Sequence, residues 1–400
     1  MRMTSIERLL VTGLTLLLAV APAISLTLLA TDATAQEAQP IYNWTDEPSR
    51  DGDITDWRPN IRDTPYFENW DVWLWADDGT FIVLQFLTSS FGFGIERQGS
   101  ARLLIVDPHA ANIHGGPEDG VGWGDRGFNW DNGDWGWEEL EGAVDVHWAD
   151  CYLRGDGTTL DIHMRGRTRQ NWLRVELTAD SPVYRPGDGR LNYGWDRRNF
   201  YDLQAIPRVS FSGELNQKEN RDAEDDWRPI SGVGYVEHSL TNAFPFDIAE
   251  SFFGFRALRA DGLSVVLDSV MTPGGFGQTP IPWLLVLLDG EIIFESFDVS
   301  IIPNDERREE WGGNSYELPY GYDVEARAGG DLVQLQVYNS ELVSADSFLN
   351  RVSSFLRAVI RQMMTPYDFE LSNEYSARVT IDGTVATVSG RGWTTFQVTN

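Results

Sequence analysis

Cysteine and lysine are nearly missing from this chain. Cys151 is the single cysteine among 400 residues, so no intrachain disulfide can form and a cysteine-based zinc site is excluded. Lys218 is the single lysine, and the remaining basic charge is arginine. Basic charge of either kind is scarce: 31 Lys and Arg face 61 Asp and Glu, for a formal net charge of −30. Such an acidic excess repels phosphate backbones and anionic lipid surfaces, which argues against nucleic acid as a partner. It places no restriction on an apolar guest held inside. No Gly-rich loop precedes a lysine in the phosphate-cradling pattern, and no nucleophile elbow or Cys/His pair is present. Nucleotide-dependent and triad-hydrolase chemistry therefore have no support, and no cofactor is implied.

Long apolar runs are missing after the first thirty residues. Arg2 and Arg8 precede the run Leu9 to Leu18, which continues through Leu29 with Pro22 interrupting it, and Ala33-Thr34-Ala35 supplies a small-x-small cleavage pattern. These features predict a signal peptide over 1–35, with Gln36 the first mature residue, and hence an exported protein, periplasmic or secreted. An uncleaved leader would act as an anchor instead. No later stretch approaches the ~20 apolar residues of a spanning helix, so no stable membrane insertion is expected after cleavage. Arg2, Glu7, Arg8 and Asp32 leave together, so the mature charge is unchanged.

A mature chain of about 365 residues exceeds what one hydrophobic core usually serves, which predicts two domains. Short runs of strand-forming residues punctuated by Gly, Asp and Asn dominate it. Trp70 to Ala76 and Phe81 to Leu87 flank Asp77-Asp78-Gly79, Ala143 to Leu153 and Thr159 to Met164 flank Gly155-Asp156-Gly157, and Trp283 to Leu288 and Ile292 to Phe294 flank Asp289-Gly290. Each reads as a β-hairpin. Successive hairpins predict an all-β chain of two tandem antiparallel barrels. The charged segment from Asn216 places a linker over 216–229, between an N-terminal β-domain over 36–215 and a C-terminal one over 230–400. Asp56-Trp57-Arg58-Pro59 recurs as Asp226-Trp227-Arg228-Pro229, in keeping with two similar halves. One helix is expected over 346–364, where Phe348, Leu349, Val352, Phe355, Leu356, Val359, Ile360 and Met363 recur at helical spacing after Asp346.

Several stretches together resemble the hydroxyneurosporene synthase (carotenoid 1,2-hydratase) family and its lipocalin-like relatives, which include fungal survival-factor proteins and some pericyclases. They are Ile206-Pro207-Arg208-Val209-Ser210-Phe211-Ser212-Gly213, Gly232 to His238, Phe252-Phe253-Gly254-Phe255-Arg256-Ala257, the strand Ser264 to Asp268, and Val388-Ser389-Gly390-Arg391-Gly392-Trp393. The resemblance spans roughly residues 66 to 396. It implies two calycin-like barrels with ligand chemistry near their junction. The hydratase motif resembles Gly-Tyr-x-Asp-His-x-Trp followed by Tyr-x-Asp. This chain keeps Gly234, Tyr235, His238 and Asp268, but has Glu237, Leu240 and Val266 at the other positions.

Adding water to an isolated double bond needs an acid that is neutral near pH 7, which burial of a carboxyl achieves. Asp268, at the end of an apolar run, is the candidate acid, and His238 the candidate to orient it or activate water. The plainer alternative puts Asp268 at a solvent-facing strand end and gives His238 a structural hydrogen bond. Glu237 and His238 are adjacent and point to opposite faces of a strand. If His238 faces the barrel lumen with Val236, Glu237 faces outward, onto the other domain or an arginine.

Of the 16 Trp, 12 precede residue 200. Trp73 and Trp75 share one strand face, while Trp70, Val72 and Leu74 share the other, which suits a barrel wall with apolar contacts on both sides. The Gly- and Trp-rich stretch containing Trp123, Trp130, Trp135 and Trp137 is a candidate pocket rim or a rigid plug. Tyr235, Trp73, Trp75, Trp123, Trp130 and Trp135 are the candidate ligand-lining residues, Asp268 and His238 the candidate catalytic ones. Asp131-Asn132-Gly133-Asp134 lacks the spacing and terminal Glu of a calcium loop. Asp107, His109 and His114 fit a solvated loop better than a zinc site, so no metal site is assigned. Three functions remain: an exported binder of an apolar lipid or isoprenoid, a hydratase or cyclase, and a glycan-binding module that stacks sugars on tryptophan.

Overall fold

Residue alternation fixes the architecture. In the computed structural model, the strand Tyr66–Ala76 buries Trp70, Val72 and Leu74 on one face and Trp73 on the other. The described residues are 38–46, 52–55, 65–90, 98–106, 135–140, 142–148, 151–165, 171–218, 222–259, 262–347, 349, 361 and 364–399. They form two antiparallel sheets. The first runs Gln98–Val106, Phe81–Ser90, Tyr66–Ala76, Trp227–Thr241, Asn199–Gln217, Asn171–Ala179, Thr159–Arg165, Cys151–Gly155, Ala143–Trp148, Trp135–Leu140; Arg190–Tyr193 pairs with Asn199–Gln217 and, on its other edge, with Ile41–Tyr42. The second runs Glu291–Ser296, Pro280–Leu288, Leu263–Met271, Ser251–Leu258, Thr384–Val398, Tyr367–Ile381, Asp331–Asp346, Asn314–Ala328, Asp298–Trp311. The fold is the expected all-β pair of barrel-like domains, and the single described helix is the one turn Pro245–Ile248.

Three apolar clusters follow from the two-residue period. Trp70, Val72, Leu74, Ile82, Leu84 and Phe86 belong to the interior of the first sheet. Phe255, Val265, Leu267, Leu284, Val286 and Tyr322 belong to the interior of the second. The opposite faces meet in a third cluster, where Trp73, Val83, Leu104 and Tyr235 of the first sheet pack with Val266, Trp283 and Leu285 of the second. A junction this apolar joins the two sheets firmly, and Gln39–Asn400 is one compact unit.

The hairpins around Asp77-Asp78-Gly79 and Asp289-Gly290 are present. At the latter turn Asp289 (φ 52°) and Gly290 (φ 84°) both adopt left-handed backbone, the geometry a tight two-residue hairpin demands. Four expectations need correction. Residues 143–153 are two paired strands, with Trp148 opposite Cys151. The proposed linker over 216–229 contains the facing ends of two strands of the first sheet, and Trp227–Thr241 pairs with Asn199–Gln217 and Tyr66–Ala76. The change of sheet therefore comes after Thr241. Charge misled the sequence reading there, because Asn216 and Lys218 hold Asp225 across the turn. Asp298–Trp311 is a strand the sequence did not announce: it lies at a sheet edge with most side chains exposed, so charges replace the usual alternation. Asp346, expected to begin the helix, ends the strand Asp331–Asp346. The rest of the expected helix lies mainly outside the described residues, as do Asp56 to Pro59 and the leader. Among the described residues no helix is long and apolar enough to cross a membrane.

Candidate functional site

Two polar rows face each other across the junction, each assembled by strand register. In the first sheet Arg102 lies opposite Gln85, Gln85 opposite Asp71, and Asp71 opposite Glu237. In the second, Asp268 lies opposite Gly254, Gly254 opposite Thr395, and Thr395 opposite Glu370. Directly opposed residues share a face, so each row puts its side chains on one side of its sheet. The rows join at both ends. Arg102 Nη1 donates to Glu370 Oε1 at 3.1 Å. Arg256 Nη2 donates to Glu237 Oε2 at 2.8 Å and to Asp268 Oδ1 at 2.6 Å. Each sheet thus contributes one Arg and one Glu to a reciprocal pair of buried ion pairs.

Between the rows is a cavity of about 180 Å³. Its polar lining includes Asp71, Gln85, Arg102, Glu237, Arg256, Asp268, Asp368 and Glu370. Its apolar walls come from both sheets, with Trp73, Leu203 and Leu240 on one side and Phe252, Phe253 and Trp283 on the other. The cavity opens on the face of each sheet opposite its interior cluster.

Arg256 organises the site. Its side chain is 2% exposed, and its guanidinium carbon lies 4.8 Å from the Trp73 ring centroid and 4.7 Å from that of Tyr235. Tyr235 OH donates to Glu237 Oε2 at 2.9 Å. Gly254 makes the arrangement possible: a Cβ there would meet Arg256 Nη1 at 2.0 Å and Asp268 Oδ1 at 2.8 Å. Asp268 keeps 16% of its side chain exposed, and its Oδ2 has no hydrogen-bond partner among the described residues.

Charge is unevenly supplied. Burial pushes the Asp268 carboxyl well above the ordinary carboxylate range; Arg256 opposes the shift and Glu237 adds to it. An ion pair with arginine would by itself favour the charged form, but Glu237 and Asp268 share one guanidinium, and two buried carboxylates cannot both ionise there cheaply. The upward direction therefore stands. Burial also raises Asp71, with Glu237 the next largest cause and the Gln85 hydrogen bond opposing. Glu370 is raised by burial against the pull of Arg102 and Trp393. A proton on the unpartnered Oδ2 of Asp268, with Oδ1 still accepting from Arg256, makes this residue a neutral acid at the cavity wall.

His238 sits on the other side of its strand. Its ring stacks on Trp70 with centroids 3.9 Å apart and planes 10° from parallel. Its Nε2 lies 2.5 Å from Glu68 Oε1 and its Nδ1 3.0 Å from Gln204 Nε2. Gln204 Oε1 accepts from Arg185 Nε and Nη2, at 3.1 and 2.9 Å. Arginine only donates, so the atom of Gln204 facing it is oxygen and the amide N–H₂ faces the histidine. Nδ1 is then an acceptor, and Nε2 carries the proton given to Glu68. This network gives His238 a structural role and separates it from Asp268. Glu237, turned the opposite way, meets Arg256 of the other sheet.

The remaining predicted residues divide as follows. Trp73 and Asp268 line the cavity. Tyr235 is fully buried behind it, holding Glu237. Trp75 packs edge-on to Phe81 at 4.9 Å, on the junction face but outside the cavity lining. Trp135 begins the strand Trp135–Leu140, and Trp123 and Trp130 lie outside the described residues, as do Asp107, His109, His114 and Asp131 to Asp134. Arg102, Asp71, Arg256 and Glu370 escaped the sequence reading because their meeting depends on register between strands far apart in the chain.

No family model matches the chain, and no curated protein sequence matches it. Solved structures do. CghA superposes with a TM-score of 0.54 at 11% identity, over 90% of this chain and 97% of that one. CghA with Sch210972 gives 0.52 at 10% identity, over 84% and 88%. An AttH protein of Nitrosomonas europaea gives 0.52 at 13% identity, over 83% and 92%. Identities this low speak to architecture alone: in fold, the chain is similar to CghA and to the AttH protein.

Proposed function

We propose that the protein binds an apolar small molecule, of lipid or isoprenoid type, in the cavity between its two sheets. The observation that carries this reading is the cavity itself, walled by apolar side chains of both domains around a short polar floor. Concave, mostly apolar sites with a few convergent polar groups at domain junctions are where small molecules bind. CghA, similar in fold, has been solved with the small molecule Sch210972. N-phenyl-1-naphthylamine, a neutral fluorophore that brightens in apolar surroundings, should bind and be displaced by the natural ligand; purified protein without affinity for it, and without any co-purifying small molecule in native mass spectrometry, would overturn the reading.

Asp268 favours a second, enzymatic reading. A neutral carboxyl at an apolar cavity wall can deliver a proton to an olefinic carbon, as a hydratase- or cyclase-type reaction requires. Arg256 then stabilises the carboxylate left behind. The resemblance to the hydroxyneurosporene synthases points the same way. Incubating the protein with an isoprenoid extract of its source cells in D₂O tests it: protonation at carbon leaves deuterium in a product, whether water adds or a ring closes. No deuterated product with the native protein, or the same product with Asp268→Asn, rules out this chemistry. Export with cleavage after Ala35 belongs to the same proposal, and an N-terminal sequence beginning at Gln36 in the mature protein is its expected mark.

A further inference from the structure

The charged lining of the junction cavity is far richer in carboxyls than in guanidiniums. Asp71, Glu237, Asp268, Asp368 and Glu370 contribute five carboxyls, while Arg102 and Arg256 contribute two guanidiniums. Both guanidiniums are engaged with carboxyls of the opposite sheet. Three amides, Asn69, Gln85 and Gln397, line the cavity as well, and the first two donate to Asp71. With every group ionised the lining carries three more negative than positive charges, in a space closed by Trp73, Trp283, Phe252, Phe253, Phe369 and Phe396. A dry, aromatic cavity does not hold such a surplus bare. Asp268 Oδ2 and Asn69 Oδ1 among the acceptors of the lining, and Trp73 Nε1 and Arg256 Nε among its donors, have no hydrogen-bond partner among the described residues, so the imbalance is one of charge.

We infer that the cavity takes an apolar molecule bearing a basic amine, and that the ammonium group of this ligand replaces a proton held by the carboxyl cluster. The proposal rests on the small-molecule reading above and names the charge class of the ligand. The exchange balances simply. An ammonium ligand entering from water displaces the Asp268 proton to solvent; the same ligand entering as a neutral amine takes that proton itself. Both routes end in an ammonium–carboxylate pair, with Asp268 Oδ1 still on Arg256. The ammonium brings a positive charge on three donors, which offsets the surplus of carboxyls over guanidiniums in the lining. A carboxylate ligand would bring the reverse and meet five acids. The aromatic walls suit the other end of such a molecule and tolerate positive charge near their faces. The groups that face Asp268 are Arg256 and Glu237, with Tyr201 and Tyr235 nearby, and Asp71 lies opposite Glu237 in register. None of these can neutralise an added anion except the already paired arginines.

The test uses three probes of equal length: n-octylammonium, 1-octanol and octanoate, each displacing N-phenyl-1-naphthylamine from the whole protein at pH 7.5. Octylammonium should bind at least about tenfold tighter than octanol, the scale of one charge-assisted hydrogen bond, with octanoate weakest. Calorimetry in two buffers of different ionisation enthalpy should register proton release with octylammonium and none with octanol. Asp268→Asn, or Asp71→Asn should the first fail to fold, should shrink the ammonium-to-octanol ratio. Octanol binding as tightly as octylammonium, octanoate binding best, or ammonium binding without proton release overturns the inference. Failure of the fluorophore itself to bind sinks the small-molecule reading and this one together; fluorophore binding without ammonium preference sinks only this one.

Discussion

Replacing Arg256 by Met probes the clasp between the two sheets most sharply. The change removes hydrogen bonds at 2.8 Å to Glu237 and 2.6 Å to Asp268, and it takes the cation from between the Trp73 and Tyr235 rings. Hydrogen bonds to charged groups contribute about 1.5–3 kcal/mol each, and stripping one partner from a buried ion pair costs about 3–5 kcal/mol. The two figures describe the same loss and are not summed. Methionine fills part of the volume, so the expected cost is about 4 kcal/mol at pH 8, a large share of the ~5–15 kcal/mol typical of a folded domain. The sign of the pH dependence follows from the carboxyls left behind. Without the arginine, Asp268 holds its proton in the folded state at pH values where the unfolded chain has released it. Stability is then fullest below the unfolded carboxyl pKa and is lost as pH rises through the folded one. Urea unfolding at pH 8 and pH 5 should therefore show a larger penalty at pH 8. The double variant Glu237→Gln/Arg256→Met should recover part of the loss, because it removes one of the stranded charges. A penalty under about 1 kcal/mol at pH 8 would place the pair with exposed salt bridges and refute the reasoning, as would a penalty that grows on acidification.

The same geometry makes further predictions. Gly254→Ala should push Arg256 off Asp268, because the added Cβ would meet Nη1 at 2.0 Å; a cost of about 1–3 kcal/mol in urea unfolding, with weakened fluorophore binding, is expected. Asp71→Asn should raise the urea midpoint at pH 8 and leave it nearly unchanged near pH 4: burial raises the folded carboxyl, so the wild type loses stability as pH rises between the unfolded and folded values. His238→Ala should lower stability by about 1–3 kcal/mol, since it removes a hydrogen bond to the buried Glu68, which keeps Tyr66 as a donor, while leaving fluorophore affinity intact; loss of binding without loss of stability would restore His238 to the site.

Alternation carried much of this structure into view from the sequence. The opposed faces of Tyr66–Ala76 put Trp70 and Trp73 on different sides, and the adjacency of Glu237 and His238 sends one to the junction and the other to the barrel interior. Asp268 stood out because an acid closes an otherwise apolar run. His238 does not partner it: Asp268 faces the junction from the second sheet, whereas His238 points away from the junction on the first, against Trp70 and Glu68. Arg102, Asp71, Arg256 and Glu370 carry no local signal, since each looks like a charged residue in an ordinary strand, and only the pairing of strands across more than 250 residues of chain brings Arg102 to Glu370. The domain boundary was misplaced for a related reason. The turn after Gln217 is charged and short, so it reads as a linker, yet the strand behind it completes the first sheet.

The central claim is that the space between the two sheets is where a small molecule resides. Leu203 lines that space from the junction face of the first sheet, so Leu203→Trp fills it without touching the ion pairs. Fluorescence titration with N-phenyl-1-naphthylamine should give saturable binding to the wild type and at least about a tenfold loss in the filled variant, with circular dichroism and urea midpoint showing that the variant is folded. Undiminished binding by a folded Leu203→Trp protein would contradict the account.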